Sequence, residues 1–241
     1  MEFDTYLYTN PGSQQENEDS AIFSTKGEHG IFIVADGLGG HRHGRLASQC
    51  VTSSLSNAWT LEETENRAIW LNQQIQTANE KLLTLQKEYH ARLKSTVVVL
   101  AIDKGKAVWA HTGDSRLYYL HDRTIRHITA DHSVSYKKYK AGEITRTQIN
   151  QDADQSCLLR SLGGEDRFQP ELSEASNDLE PGDGFLLCSD GIWKYLYDEE
   201  VLIDLLKAGT AQEWAELLLL RIISRIQPET DNLTLMTILL Q

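Results

Sequence analysis

The sequence predicts an α+β fold in which two β-sheets carry helices on their outer sides. Strand-like runs follow one another through short turns, as in hairpins, and do not alternate one by one with helices. The helix-like segments instead come in two blocks, one early and one near the end of the chain. The 241 residues contain no Pro-, Gly- or Ser-rich linker. We therefore expect a single domain over 1–241.

The first part of the chain is predicted to form three strands and then two helices. Apolar and β-branched runs place the strands at 3–9, 21–24 and 31–34. Asp36 and a glycine-rich turn are expected to end the third strand. Apolar residues at helical spacing then predict helices over 47–59 and 71–89. The second helix has one apolar stripe, which fits packing against a sheet better than a coiled coil.

The rest of the chain returns to strands and ends with helices and a last strand. The strands are predicted at 96–102, 107–111, 117–120, 124–128, 168–175, 185–188 and 233–240, and the helices at 198–207 and 211–226. The first of these strands is a β-branched run that should be buried on both faces. The polar segment 131–164 is expected to be a weakly anchored, partly mobile flap of short helices.

Composition and charge exclude several classes of function. The chain has 35 acidic and 23 basic residues and a formal net charge of −12, which argues against a nucleic-acid partner. No apolar run is long enough to cross a membrane, and the amino terminus does not resemble a signal peptide. The three cysteines lack metal-type spacing and are expected to be reduced thiols. These features predict a cytoplasmic protein without a membrane partner.

Acidic residues beside turns recur at the ends of the predicted strands. They are Asp19, Asp36, Asp114, Asp190 and Asp231. If the strand ends are neighbours, these carboxylates meet in one cleft, where two charges about 4 Å apart repel by roughly 4 kcal/mol at an effective dielectric of about 20. Cations must then lie between them, and Mg²⁺ or Mn²⁺ prefers such oxygen ligands. Taken singly, each acid would more often be an ordinary turn residue.

A pair of such metal ions would have a definite chemical use. Two ions roughly 3.5–4 Å apart can share a water, lower its pKa and direct it in line at a phosphorus. Asp36 is the natural bridging ligand, and the Gly37 carbonyl would complete one of the two sites. No cluster of His and Cys in the sequence suggests a softer metal such as zinc.

Seven motifs in order resemble the metal-dependent protein serine/threonine phosphatases of type 2C, in their compact bacterial form. They are ENED at 16–19, VADGLGGH at 34–41, STVVVLAID with HTGDSR ending at 116, TADHS at 129–133, LLRSLGG at 158–164, GFLLCSDGIW at 184–193 and DNLTLM at 231–236. The resemblance extends from about residue 3 to residue 240. It implies a four-layer α-β-β-α sandwich, with two mainly antiparallel sheets and a dinuclear metal centre at one end.

The resemblance also assigns roles to individual residues. It implies metal ligation by Asp36, Asp190 and Asp231 and by the Gly37 carbonyl, support of metal-bound waters by Asp19, Glu18 and Asn232, and a third, weaker metal between Asp114 and Asp190. Asp36, His41 and Asp190 are the expected catalytic residues. His41 is placed to act as general acid for the leaving alkoxide, although a histidine there could equally hold the loop.

One position departs from the family pattern. The family usually has an arginine three residues before the Asn of its NED motif, where it clamps the substrate phosphate, and this sequence has Gln14. An amide cannot replace a bidentate cation. Either the metals bind the substrate phosphate alone, or the missing arginine is replaced by Arg42, Arg45 or Arg160. We therefore expect weakened binding of small phosphate esters with the chemistry retained.

The expected function is hydrolysis of phosphoserine and phosphothreonine in proteins by a metal-bridging water or hydroxide, with Mn²⁺ or Mg²⁺ as cofactor. Two further readings remain: a catalytically weak relative that binds a partner, and a metal-dependent nuclease. The intact acids argue against the first and the net charge against the second. The resemblance implies phosphoprotein substrates linked to a bacterial kinase. The chain is expected to be a monomer whose flap selects the substrate.

Overall fold

The structure is a computed structural model that describes residues 1–38, 43–59, 66–164, 168–175 and 178–241. Its strands form two antiparallel sheets. The first sheet has the order β1 (Phe3–Asn10), β11 (Leu233–Leu240), β10 (Gly184–Cys188), β7 (Arg116–His121) and β8 (Thr124–Ile128). The second has the order β2 (Asp19–Lys26), β3 (His29–Leu38), β5 (Val97–Asp103), β6 (Lys106–Thr112) and β9 (Glu171–Glu174), and β4 (Lys94–Ser95) also pairs with β3.

Helices cover the outer side of each sheet. The second sheet carries α1 (His43–Ala58) and α2 (Arg67–Tyr89), and the first carries α5 (Asp198–Lys207) and α6 (Ala211–Arg225). Together they make the four layers α-β-β-α that the resemblance implies. The apolar stripe of α2 packs into the core beneath it through Leu71, Ile75, Ala78 and Leu82. It therefore forms a sheet-packed helix, as predicted.

The strand β3 shows how the layers are joined. Ile31 and Ile33 face the core under α1 and α2, whereas Phe32 and Val34 face the core between the two sheets. Successive side chains of a strand point to opposite faces, so a strand between two layers must be apolar at every position. β5 follows the same rule, which confirms that the β-branched run is buried on both faces.

Two local predictions near the acids are wrong. β3 does not end at Asp36 but continues to Leu38, because Gly37 pairs with Ser95 of β4 and its N–H donates to the carbonyl of Glu18. Likewise, Asp190 does not belong to a simple turn. It begins a one-turn helix, α4 (Asp190–Trp193), which follows β10 directly.

The flap is attached more firmly than predicted. It contains α3 (Val134–Lys140) and a 3-10 helix, Arg146–Gln151, whose Ile149 is fully buried. The Asn150 amide donates to the carbonyls of Trp193 and Leu196, and Arg146 lies 3.0 Å from Asp198. The flap is thus tied to α4 and α5, so the prediction of weak anchoring is wrong.

Two expectations about the whole chain can be compared with the described residues. None of the helices in those ranges is long and apolar enough to cross a membrane. Cys50, Cys157 and Cys188 are free thiols, of which only Cys188 is buried.

Candidate metal centre

The site begins with two aspartates on neighbouring strands. Asp19 is the first residue of β2 and is directly paired with Asp36 in β3. Paired residues of adjacent antiparallel strands project from the same face of a sheet. The other sheet contributes Asp190, which follows β10, and Asp231, which precedes β11. The two sheets therefore bring acids to one end of the sandwich.

The electrostatic neighbours of Asp36 show how closely the acids meet. Burial raises the pKa of Asp36 well above its ordinary value, and the charges of Asp19, Asp190, Asp114 and Asp231 raise that pKa further. All five acids predicted from the sequence thus lie within one electrostatic cluster. We call these five residues the acid cluster. Without a cation, their mutual repulsion favours the protonated carboxylic acids.

Asp19 is held rigidly inside this cluster. Burial raises its pKa to about 7; the neighbouring Thr234 and Ser189 side chains lower the pKa, and the charges of Asp190 and Asp231 raise it. The Ser189 hydroxyl donates to Asp19 Oδ2 over 2.8 Å. Ser189 also accepts from the Thr234 backbone N–H, so it links the carboxylate to β11.

Asp114 is held by Trp193, which in turn stacks against the Arg116–Asp131 ion pair. Its carbonyl accepts a hydrogen bond from Trp193 Nε1 at 2.8 Å. The Arg116 guanidinium stacks 3.5 Å from the centre of the Trp193 ring and forms a buried bidentate pair with Asp131. Burial, followed by the charges of Asp190 and Asp131, raises the Asp114 pKa well above its ordinary value. The motifs that contain Arg116 and Asp131 are therefore joined by this pair.

Lys194, which directly follows α4, contacts the acid cluster. Its Nζ lies 3.7 Å from Asp190 Oδ2 and 3.7 Å from Asp231 Oδ2. Burial lowers the pKa of Lys194, but the two carboxylates raise it to a net value above the ordinary one. Burial also raises the pKa of Asp190, which the charge of Lys194 lowers and that of Asp231 raises. Gln155 of the flap approaches Asp190 Oδ2 to 3.4 Å.

Glycines allow the segments that hold these acids to approach closely. A Cβ on Gly37 would lie 1.9 Å from the carbonyl oxygen of Gly44. A Cβ on Gly191 would lie 1.9 Å from the carbonyl oxygen of Asn232. Both obstacles are backbone atoms, so no side-chain rotation can relieve the clash. A larger residue would separate the backbones next to Asp36 and Asp190.

Glu18 and Asn232 hold the surroundings of the cluster together. The Glu18 carboxylate accepts from the backbone N–H of Gly44 in the first turn of α1, where the helix dipole favours an anion. The Asn232 amide donates to the carbonyls of Pro11 and Glu16 and accepts from the Glu18 N–H. These bonds fix the 11–18 loop beside Asp231. Support of metal-bound waters by Glu18 and Asn232 stays a prediction.

The predicted general acid and one of the predicted cations fall outside the described part of the chain. His41 and Arg42 lie outside the described residues. Arg45, Arg160 and Gln14 are exposed. In the described ranges, Lys194 is the cation that forms ion pairs with the cluster. Lys194 is not predicted from the sequence, because Asp190 is expected to lie beside a turn at the end of a strand. A helix that begins at Asp190 places Lys194 one turn away, at the spacing of an ion pair.

A second group of possible metal ligands lies behind Asp114. It comprises His111, His132 and Glu171. The imidazole rings are stacked with centroids 4.7 Å apart, and His111 Nε2 donates to the Ala130 carbonyl. His132 Nδ1 accepts from the Gly113 N–H, and its Nε2 lies 3.3 Å from Glu171. Because lone pairs of parallel rings do not converge, we interpret this group as support for the turn before Asp114.

The donor set of the acid cluster suits hard divalent cations. All side-chain donors are carboxylate oxygens, which Mg²⁺ and Mn²⁺ prefer. Within the described part of the chain, Asp19 Oδ1 is buried and has no hydrogen-bond partner. A buried acceptor without a donor is unfavourable, and a cation would satisfy it. The residues present therefore fit a dinuclear site of Mn²⁺ or Mg²⁺.

The sequence of this chain is similar to a phosphatase family model and to individual phosphatases. The family model described as Protein phosphatase 2C matches residues 9–217. The serine/threonine phosphatase stp of Listeria welshimeri is 36% identical over 205 residues, which cover 81% of this chain and 79% of the relative. The protein phosphatase PhpP of Streptococcus pneumoniae is 31% identical over 81% of both chains.

Solved structures share both the fold and its extent. The S. agalactiae serine/threonine phosphatase superposes with a TM-score of 0.86 at 25% identity and covers 100% of both chains. The catalytic domain of the phosphatase PstP, solved with two manganese ions, has a TM-score of 0.84 at 25% identity and covers 98% of this chain and 97% of that chain. The chain therefore belongs to the protein phosphatase 2C family.

Proposed function

We propose that this protein is a phosphatase of phosphoserine and phosphothreonine in proteins that depends on Mn²⁺ or Mg²⁺. The observation that carries the proposal is the convergence of five carboxylates at one end of the sandwich, where each of the other four raises the pKa of Asp36. These carboxylates can all be ionised together only when cations lie between them. The two manganese ions of the PstP structure support a dinuclear site here.

Each part of the cluster has a proposed task. Asp36, Asp190 and Asp231, with the Gly37 carbonyl, would hold two metal ions, and Asp114 with Asp190 would hold a weaker third. When bound, the ions supply an activated water and neutralise the charge of the phosphate. Asp19 orients the centre through its buried hydrogen bond from Ser189. The general-acid role of His41 stays a prediction.

Hydrolysis of a phosphothreonine peptide and of p-nitrophenyl phosphate tests this function. We expect the purified chain to release phosphate from both with Mn²⁺ or Mg²⁺ and to lose that activity in EDTA, because in the proposed reaction the ions supply the activated water. Added Mn²⁺ should restore the rate. A folded protein that binds Mn²⁺ but hydrolyses neither compound would favour a partner-binding role instead.

We further propose that the substrates are phosphoproteins linked to a serine/threonine kinase and that the chain acts as a cytoplasmic monomer. The flap supports a role in substrate choice because Gln155 reaches Asp190 and Asn150 contacts α4. Sedimentation of the purified chain tests the monomer, and fractionation of cells tests the location. Phosphoproteomic comparison of cells with and without the active enzyme tests the substrate class.

A further inference from the structure

This sequence has Gln14 where the family usually has a phosphate-binding arginine. Gln14 is an exposed amide, Arg45 and Arg160 are also exposed, and Arg42 lies outside the described residues. A phosphate dianion held only by metals would lack a charged hydrogen-bond donor from the protein. The question is therefore which side chain of this protein supplies that donor.

Lys194 lies on the same side of the acid cluster as position 14. Ser13, next to Gln14, donates to the Thr230 carbonyl at 2.7 Å, and Tyr195, next to Lys194, lies 3.0 Å from the Thr230 hydroxyl. Thr230 directly precedes Asp231. The segments that contain positions 14 and 194 thus approach the same acid, Asp231, through one residue.

The ammonium of Lys194 keeps its hydrogen-bond donors available. Its two carboxylate partners are both 3.7 Å away, which is an ion-pair distance and too long for a hydrogen bond. The backbone of Lys194 is fixed, because its N–H donates to the Asp190 carbonyl at the end of α4. The side chain is 17% exposed, so it is neither buried away from a ligand nor free in solvent.

Lys194 also borders open space beside the flap. Lys194 lines a cavity of about 330 Å³ between the 3-10 helix of the flap and the α4–α5 turn, together with Asn150, Tyr195, Tyr197 and Arg225. Arg225 is already paired with Glu200 at 2.6 Å. Among the described residues, Lys194 is the cation of this cavity that has no close hydrogen bond to a carboxylate.

Metal binding would change the balance of charges around Lys194. Asp190 and Asp231 are the carboxylates that attract it, and they are also proposed metal ligands. Once their charge is neutralised by divalent ions, the ammonium needs another anion, and a phosphate at the metal centre carries two negative charges. A lysine acts there as a point charge and binds less specifically than a bidentate arginine.

We propose that Lys194 is the phosphate-binding cation of this protein and takes the place of the arginine that the sequence lacks at position 14. The proposal rests on the proposed phosphatase function, because it assigns a contact to the substrate of that reaction. It predicts that Lys194 contributes to binding of the phosphate group and does not contribute to binding of the metal.

Calorimetric titration of Mn²⁺-loaded protein with inorganic phosphate tests this assignment without any turnover. Lys194→Met should bind phosphate at least tenfold more weakly than the wild type, since a charged donor is lost. Lys194→Arg should stay within about threefold, because the charge is kept. Gln14→Arg should restore phosphate binding in the Lys194→Met background and improve it less in the wild type.

Separate titration with Mn²⁺ distinguishes phosphate binding from support of the metal ligands. Lys194→Met should bind Mn²⁺ at least as tightly as the wild type, because a positive charge beside the ligands is removed. Lys207→Met is the matched control, since Lys207 pairs with Asp204 at 3.4 Å and is half exposed on α5. Lys194→Gln provides a second neutral variant, and thermal unfolding checks that all variants fold.

Two results would overturn the assignment. One is unchanged phosphate affinity in a folded, Mn²⁺-loaded Lys194→Met or Lys194→Gln variant. The other is weakened Mn²⁺ binding in those variants, which would make Lys194 a support for the ligands. Failure of the wild type to hydrolyse phosphopeptides would refute the proposed function instead, and the phosphate titration would still report on Lys194.

Discussion

Replacing Asp190 by asparagine is expected to lower kcat/KM for a phosphothreonine peptide by about a thousandfold or more, which corresponds to about 4 kcal/mol of transition-state stabilisation. Asp190 is buried and 7% exposed, and it influences the pKa of Asp36, Asp19 and Asp114. An amide keeps the shape of the side chain but removes a negative charge that would bind metal. The kinetics should be measured with Mn²⁺ at several concentrations.

The same variant should also bind Mn²⁺ more weakly in calorimetry, which separates loss of metal from loss of fold. Asp122→Asn is the matched control, because Asp122 is 78% exposed and, within the described residues, forms an ion pair only with Arg126, at 3.7 Å. Exposed ion pairs contribute little to stability, so this control should keep its activity. Activity of Asp190→Asn within tenfold of the wild type at saturating Mn²⁺ would contradict the assigned role.

The acid cluster could be predicted because its parts are local in the sequence. Each acid lies beside a strand end, and a hairpin topology brings strand ends to one side of a sandwich. The pairing of Asp19 with Asp36 then follows from the register of β2 and β3. The hydrophobic pattern could not predict where β3 ends, because the end of this strand depends on hydrogen bonds from Gly37 to β4 and to Glu18.

Other features depend on contacts between distant segments. Attachment of the flap requires Arg146 to meet Asp198 and Ile149 to be buried, and neither contact has a signal within the polar 131–164 segment itself. Lys194 illustrates a different limit. Its ion pairs follow from helical spacing after Asp190, but a helix of only one turn has too few apolar positions to show a period.

Without metal, the protein should become less stable as the pH rises, because the carboxyl groups of the acid cluster lie close together. Asp19 has a pKa of about 7, above its ordinary value of 3.8, and the pKa values of Asp36 and Asp114 are also raised. The folded state therefore holds protons that the unfolded chain has released. This contribution to stability is full below the unfolded pKa and is lost as the pH rises through about 7.

Metal ions should reverse this loss, so we expect Mn²⁺ to raise the melting temperature more at pH 7.5 than at pH 5.5. A ligand at about a thousand times its Kd stabilises a protein by about 4 kcal/mol, and for a chain of this size each kcal/mol raises Tm by about 2–4 °C. The expected shift at pH 7.5 is thus about 8–16 °C. At pH 5.5, protons compete for the same carboxylates, and the shift should be several degrees smaller.

The buried histidines have the opposite effect on the pH dependence of stability. This effect must be distinguished from that of the carboxylates. Burial lowers the pKa of His111 and of His132, so their contribution is present above about pH 6.5 and is lost as the pH falls. The difference in melting temperature between samples with Mn²⁺ and with EDTA at one pH removes the contribution of the histidines, because they are present in both samples. Equal shifts at the two pH values would mean that the acids do not titrate with metal binding. A smaller shift for Asp190→Asn at pH 7.5 would attribute the effect to the acid cluster itself.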